Sequence, residues 1–501
     1  MVLSCESLKK KIAKELNASH VVAGASRRSE SSVLRGFSLL MVVVGLVVRW
    51  TVAVGPHSGQ NRPPLFGDYE AQRHWQEVTV NLPLTQWYTN SSANDLEYWG
   101  LDYPPLTAYH SWALGRVARV VQPRFVDLHT SRGVEDDEHR LFMRASVLLA
   151  ELAFHLPPLV LYLKELKTNP VLAVLYPGLI LVDHGHFQYN CVSLGLTLAA
   201  VVALKRRRLL LGSFFFSLAV NYKQMSLYHS LPFFSYLLGL CLRQPSWSAS
   251  ISKLLKIATT VVLTFGLVWA PFFFPNPANA LQVLHRIFPV ARGLYEDKVS
   301  SFWCAISVVV KVQQILPRTW LTILCLVTTL VSVLPSNLKL LRKPNTKNLV
   351  LSLFISSLGF FLFSYHVHEK SILLPAMAAM LMLPHHPIMA TWFLATSTYS
   401  LLPLMVKDDL VLPWLSLLSL FLAIGAQMMP PLNSGLLKWA LRASLGASVI
   451  LVVAQALVTA PVRYPHLFPQ LNSIFCCGHF LVFLAYAYWL QFRTEVKQHA
   501  N

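Results

Sequence analysis

The sequence predicts an all-α protein that crosses a membrane many times, and three observations carry that reading. Of its 501 residues, 54% are hydrophobic and 13% charged, where soluble domains carry about a quarter charged residues. Mean hydropathy is +0.49. Apolar runs such as Phe37 to Val48, Val171 to Val182, Val261 to Phe274, Thr322 to Leu334 and Ile474 to Leu490 approach or reach the roughly 20 residues that cross a bilayer. Backbone in such runs must satisfy its own hydrogen bonds, which selects helices.

In chain order, membrane helices are expected near 35–54, 140–163, 168–183, 190–204, 208–221, 224–241 and 254–273, then near 318–336, 347–365, 371–384, 388–404, 409–428, 436–460 and 473–491. That is about 14 segments, with both termini cytoplasmic. Net charge is +19, from 42 Lys and Arg against 23 Asp and Glu. The basic residues sit in short stretches beside apolar segments, as at Lys205 to Arg208 and Arg342 with Lys343, and the positive-inside rule places those ends in the cytoplasm. No stacking-aromatic pattern accompanies them, so nucleic acid is set aside as a partner. Residues 1–34 read as a basic, serine-rich cytoplasmic tail without fixed structure. The apolar run from Phe37 is too long for a signal peptide and lacks its cleavage site, so it reads as a start-transfer helix. Residues 35–501 then form a single membrane domain.

Flipping sides at each segment gathers the unusual polar clusters on the far side. Residues 55–139 form the first far-side loop, which also holds the sequon Asn90-Ser91-Ser92, and it is too long to be a plain connection. Tyr69 to Leu82 and Leu106 to Val121 have helical texture and are expected to lie along the membrane surface. No internal repeat is visible, which argues against inverted-repeat transporters. The 7 cysteines show neither a zinc nor a redox spacing.

Several of these far-side residues suit chemistry. Asp68, at the start of the first loop helix, suits a general base held at the membrane surface and equally suits a helix cap. Glu70 and Arg73 are spaced to pair on one helix face. Asp102 precedes a rigid Pro104-Pro105 helix entry and is either a working carboxylate or a turn residue. His184, His186, Gln188 and Asn190 form one cluster, and Lys223 with Gln224 another. The paired histidines lack a third metal ligand at a recognisable spacing. Arg286, Arg292, Lys298, His368 and Lys370 could hold a phosphate or meet anionic headgroups.

Gly67-Asp68-Tyr69-Glu70-Ala71-Gln72-Arg73-His74-Trp75 and Gly100-Leu101-Asp102-Tyr103-Pro104-Pro105-Leu106 resemble the dolichyl-phosphate-glucose-dependent α-1,3-glucosyltransferases of the endoplasmic reticulum. The resemblance continues through His186-Phe187-Gln188-Tyr189-Asn190, Asn221-Tyr222-Lys223-Gln224-Met225, Arg286-Ile287-Phe288-Pro289-Val290 and Val367-His368-Glu369-Lys370-Ser371. It implies a GT-C glycosyltransferase fold in the endoplasmic reticulum membrane. The implied reaction moves the first glucose from dolichyl phosphate glucose to dolichyl-pyrophosphate-linked Man9GlcNAc2 in the lumen, with inversion. Asp68 matches the family's catalytic position. Glu70, Arg73, Asp102, Tyr103, His186, Gln188, Asn190, Lys223, Gln224, Arg286, Arg292, His368 and Lys370 are the expected substrate contacts. No Asp-x-Asp pattern for a metal–nucleotide-sugar complex is evident, so neither a divalent metal nor another cofactor is expected. Ser226 departs from the family's pattern, standing where a Glu is expected. The rival readings are the sister enzyme that adds the second glucose, a lipid or sugar transporter, and a binding subunit without catalysis.

Overall fold

A computed structural model describes residues 43–274, 276–288, 299–431 and 434–493. The basic tail, Arg292 and Lys298 lie outside the described residues. Among those described, every regular element is a helix, and Ser91 and Asn94 form an isolated bridge.

Helix occupies each expected apolar segment, but the lengths divide into two groups. Among the described residues, eight helices are long and apolar enough to span a bilayer: Asp137–Glu165, Trp247–Phe273, Arg318–Arg342, Thr346–Phe363, Pro387–Lys407, Val411–Met428, Gly435–Leu457 and Leu467–Arg493. Val43–Ala53, Val171–Phe187, Asn190–Lys205 and Leu209–Tyr222 are apolar but shorter, as are Ser230–Cys241 and Leu373–Met382. Each of these falls below the roughly 20 residues of a straight span. Local chemistry sets the boundaries. Asp136 caps its helix by accepting from His139 N at 2.8 Å, and Asn345 does so from Asn348 N at 2.8 Å. Pro177 separates the short turn Val171–Val174 from Pro177–Ile180.

Burial separates interior helices from lipid-facing ones. Leu373–Met382 is buried at every residue, whereas Gly435–Leu457 has no buried residue and displays Leu436, Trp439, Val449, Ile450 and Val453. Interior helices are joined by small polar side chains, the means available where lipid removes the hydrophobic drive between helices. Ser336 Oγ meets Ser352 Oγ at 2.9 Å, Asn337 Nδ2 donates to Ser356 Oγ at 2.8 Å, and Gln491 Nε2 donates to Ser352 Oγ at 2.9 Å.

In the first loop, the helices Gly67–Asn81 and Pro105–Val121 pack on each other. Their approach depends on Gly115, where a Cβ would stand 2.5 Å from Val80 Cγ2 and 2.8 Å from Gln76 O. Tyr69 through Thr79 are all buried. This helix is therefore a core element, not the surface-lying amphipathic helix its texture suggested. Thr107 donates to the Tyr222 carbonyl, and Tyr109 Oη donates to Val268 O at 2.9 Å, which ties the loop to the ends of two membrane helices.

Candidate active site

A cavity of about 620 Å³ opens where the first loop meets the helix ends, a size typical of small-ligand sites. Asp68, Asp102, Tyr103, His186, Gln188, Asn190, Lys223, Gln224, His368 and Lys370 all line it. These ten come from sequence-distant segments that converge on this space.

Backbone geometry frees the Asp68 side chain. Phe66 and Gly67 enter the helix with φ of 57° and 71°. A Cβ at Gly67 would lie 2.7 Å from Ser58 Oγ, so both the left-handed turn and the close approach favour glycine. Ser58 Oγ accepts from Asp68 N at 3.2 Å. The capping alternative for Asp68 therefore does not hold, because the Ser58 hydroxyl serves that end of the helix and the carboxylate turns into the cavity.

Asp68 Oδ2 collects three partners. Lys370 Nζ donates at 2.6 Å and Gln188 Nε2 at 2.5 Å, and His186 Nε2 lies at 3.0 Å. Oδ1 carries no hydrogen bond among the described residues. Burial alone would raise the Asp68 pKa, but the Lys370 and His186 charges and their hydrogen bonds hold it well below the usual carboxylate range. For Lys370, burial opposes the charged form and the Asp68 carboxylate outweighs it, so the ammonium is held above its ordinary range.

Behind this group stands a second chain of contacts. Lys223 Nζ donates to Asn190 Oδ1 at 2.6 Å and to Gln188 Oε1 at 3.4 Å, and sits 4.9 Å from the Tyr103 ring centroid. Asn190 Nδ2 donates to Asp183 Oδ1 at 2.8 Å. Gln224 Nε2 donates to the Asp102 carbonyl at 3.3 Å. Arg144 clamps the turn that carries His186, donating to the carbonyls of His184 and Gly185 and, at 3.1 Å, to that of Pro56.

The structure does not bring Glu70, Arg73 or Arg286 to the cavity. Arg73 is fully buried, donating to Glu70 at 2.6 and 2.8 Å, to Glu77 at 2.6 Å and to Ser131 at 2.5 Å. Glu70 also accepts from Tyr98 Oη at 2.8 Å. Both charges are thus consumed inside the first loop. Arg286 donates to the carbonyls of Gly100 at 3.0 Å and Leu101 at 3.2 Å, so it braces the turn bearing Asp102 and does not line the cavity. His184 turns away to Glu151 Oε2 at 2.6 Å. Sequence reasoning missed Asp408, whose Oδ2 lies 2.5 Å from His186 Nδ1, along with Arg144, Asp183 and Glu77. Charged residues within or bordering apolar segments were the available signal for the first three.

The model of the ALG6, ALG8 glycosyltransferase family matches residues 45–486. The chain belongs to this family. A Gallus gallus relative named dolichyl pyrophosphate Man9GlcNAc2 alpha-1,3-glucosyltransferase is 47% identical over 482 residues, covering 89% of this chain and 95% of the relative. A Drosophila melanogaster protein carrying that name as probable is 44% identical over 476 residues, 93% of this chain and 100% of the relative. A Mus musculus protein of the same name is 44% identical over 481 residues, 89% and 95% respectively. Family membership makes the chain a glycosyltransferase and removes the transporter reading, while its apolar helices make it a multi-pass membrane protein.

Proposed function

We propose that the chain transfers the first α-1,3-linked glucose from dolichyl phosphate glucose to dolichyl-pyrophosphate-linked Man9GlcNAc2, on the lumenal side of the endoplasmic reticulum membrane. The names of its relatives specify that acceptor, which favours the first-glucose reaction over the second. The carrying observation is a carboxylate with one oxygen saturated and the other open, set among cations in an accessible cavity. In this reading, residues 35–501 form one GT-C domain of about 14 helical segments, residues 55–139 are its first lumenal loop, and residues 1–34 face the cytoplasm.

The chemistry follows from charge. Inversion requires the acceptor hydroxyl to attack the glucosyl carbon on the face opposite the phosphate. Asp68 Oδ1 takes the hydroxyl proton as the new C–O bond forms and the bond to the phosphate oxygen breaks. The departing lipid phosphate needs its negative charge met, not a proton, so Lys223 and His368 suffice and no acid partner is required, while Lys370, expected at the phosphate from sequence, is held 2.6 Å from Asp68 Oδ2 and stays with the base. Arg292 would join them. Asp102, Tyr103, Gln188, Asn190 and Gln224 would place the sugars. His186 supports Asp68, and no divalent metal takes part; retention of full activity in a chelator checks this.

The deciding experiment supplies purified protein with dolichyl phosphate glucose and either Man9GlcNAc2 or its monoglucosylated form on the lipid carrier. Transfer to the unglucosylated acceptor alone is expected. Transfer only to the monoglucosylated acceptor would make this the second-glucose enzyme.

A further inference from the structure

Asp408 directly follows the helix Pro387–Lys407 and is buried at 4% exposure. A buried carboxylate is costly unless it is paired, and the partner found is His186, whose Nδ1 lies 2.5 Å from Asp408 Oδ2. The opposite ring nitrogen, Nε2, lies 3.0 Å from Asp68 Oδ2 and 3.3 Å from Lys370 Nζ. A single imidazole therefore joins a carboxylate outside the cavity to the carboxylate inside it. The Asp408 side lines a separate space beside Pro56, His57 and Arg62, so it is placed away from the sugars.

We infer that Asp408 is a positioning residue for the base: it fixes the His186 ring, and through it the rotation of the Asp68 carboxylate. The Asp408 carboxylate accepts from Nδ1–H while Nε2–H of the same charged imidazolium donates to Asp68, and the two bonds together fix the plane of the ring. Held so, Nε2 stays on Asp68 Oδ2, and Lys370 and Gln188 complete the set on that same oxygen. Oδ1 is left as the basic atom facing the cavity. Without Asp408 the imidazole can turn a carbon edge toward Asp68. The carboxylate is then free to rotate and share both oxygens with Lys370, which would mask the base. Partners that orient a working side chain without touching substrate are commonly worth about 10–100-fold in activity.

This inference rests on Asp68 being the base, and the experiment separates the two. Glucose transfer is measured for wild type, Asp68→Asn, Asp408→Leu, His186→Ala and the His186→Ala/Asp408→Leu double variant. Asp408→Leu should lower kcat about 10-fold or more while the KM for dolichyl phosphate glucose stays within about twofold, since Lys223 and His368 are untouched. The double variant should be no slower than His186→Ala alone, because Asp408 acts only through that ring. Asp408→Asn, which keeps an acceptor of the same size, should recover part of the loss. Asp408→Ser, too short to reach the ring, repeats the cycle if the leucine variant does not accumulate folded. Turnover of Asp408→Leu near wild type, or a full extra loss in the double variant, overturns the inference while leaving the base assignment standing. Wild-type turnover in Asp68→Asn would overturn the base assignment itself, and this inference with it.

Discussion

The Gly67–Asn81 helix carries two ionic clusters that look alike in sequence and differ in what surrounds them. At its N-terminal end, Asp68 and Lys370 keep 21% and 18% of their side chains exposed, and one carboxylate oxygen is left open. At its centre, Arg73 and Glu77 are both at 0%, and every carboxylate oxygen of Glu70 and Glu77 is hydrogen-bonded within the loop. Arg73 is bonded to Glu70, Glu77 and Ser131, and Glu77 also accepts from His129 N at 2.7 Å and meets His74 Nδ1 at 3.1 Å. A group that must exchange a proton with substrate needs an unfilled site and access. A group that holds a loop together needs neither. The two clusters thus divide chemistry from scaffolding along one helix.

Substitution can break that division if it is wrong. The largest effect is expected at the open cluster: Asp68→Asn should reduce glucose transfer by at least about 10²–10⁴-fold, the range for a general base, with little change in thermal unfolding of the detergent-solubilised protein. Arg73→Met should do the reverse. Removing one partner from a buried ionic set costs about 3–5 kcal/mol, so folded yield and melting temperature should fall while surviving protein keeps a normal KM. A normal melting temperature in Arg73→Met would show that the central cluster is not the brace. Arg286→Ala lies between the two clusters in kind. It strips partners from the Gly100 and Leu101 carbonyls, at about 1–3 kcal/mol where such groups are left unsatisfied. It should loosen the turn bearing Asp102 and raise the KM for substrate about tenfold, and an unchanged KM would count against that bracing role.

Sequence alone could locate the first cluster but not tell it from the second. Asp68, Glu70 and Arg73 share one short stretch, and spacing alone could place Glu70 and Glu77 beside Arg73 without revealing that Ser131 and Tyr98 close around them. Those two come from separate parts of the loop, and only the fold brings them in. The all-helical membrane character was legible because lipid forces backbone hydrogen bonds inside each segment. Which helices are interior was not, since Leu373–Met382 and Gly435–Leu457 are both apolar and composition does not tell the buried one from the exposed one. Asp408 escaped notice for the same reason. It reads as one more charge after an apolar segment until His186 is seen beside it.

The smallest expected effect, and the sharpest test of the open cluster, lies in the pH profile. In the free protein Asp68 is held well below the usual carboxylate range by Lys370 and His186 against the opposing effect of burial. A base must be ionised to act, and kcat/KM reports the free enzyme. An ordinary Asp would impose an acid limb near pH 3.9, so wild-type kcat/KM should lose nothing to this group down to about pH 4. In Lys370→Met the nearest cation is gone and burial is less opposed, so the Asp68 pKa rises and the acid limb should move upward into the measurable range. Weakened phosphate binding in that variant would lower kcat/KM by the same factor at every pH, leaving the shape unchanged. The position of the limb therefore isolates the electrostatic coupling, and a Lys370→Met profile parallel to wild type would show that Lys370 does not set the charge state of the base.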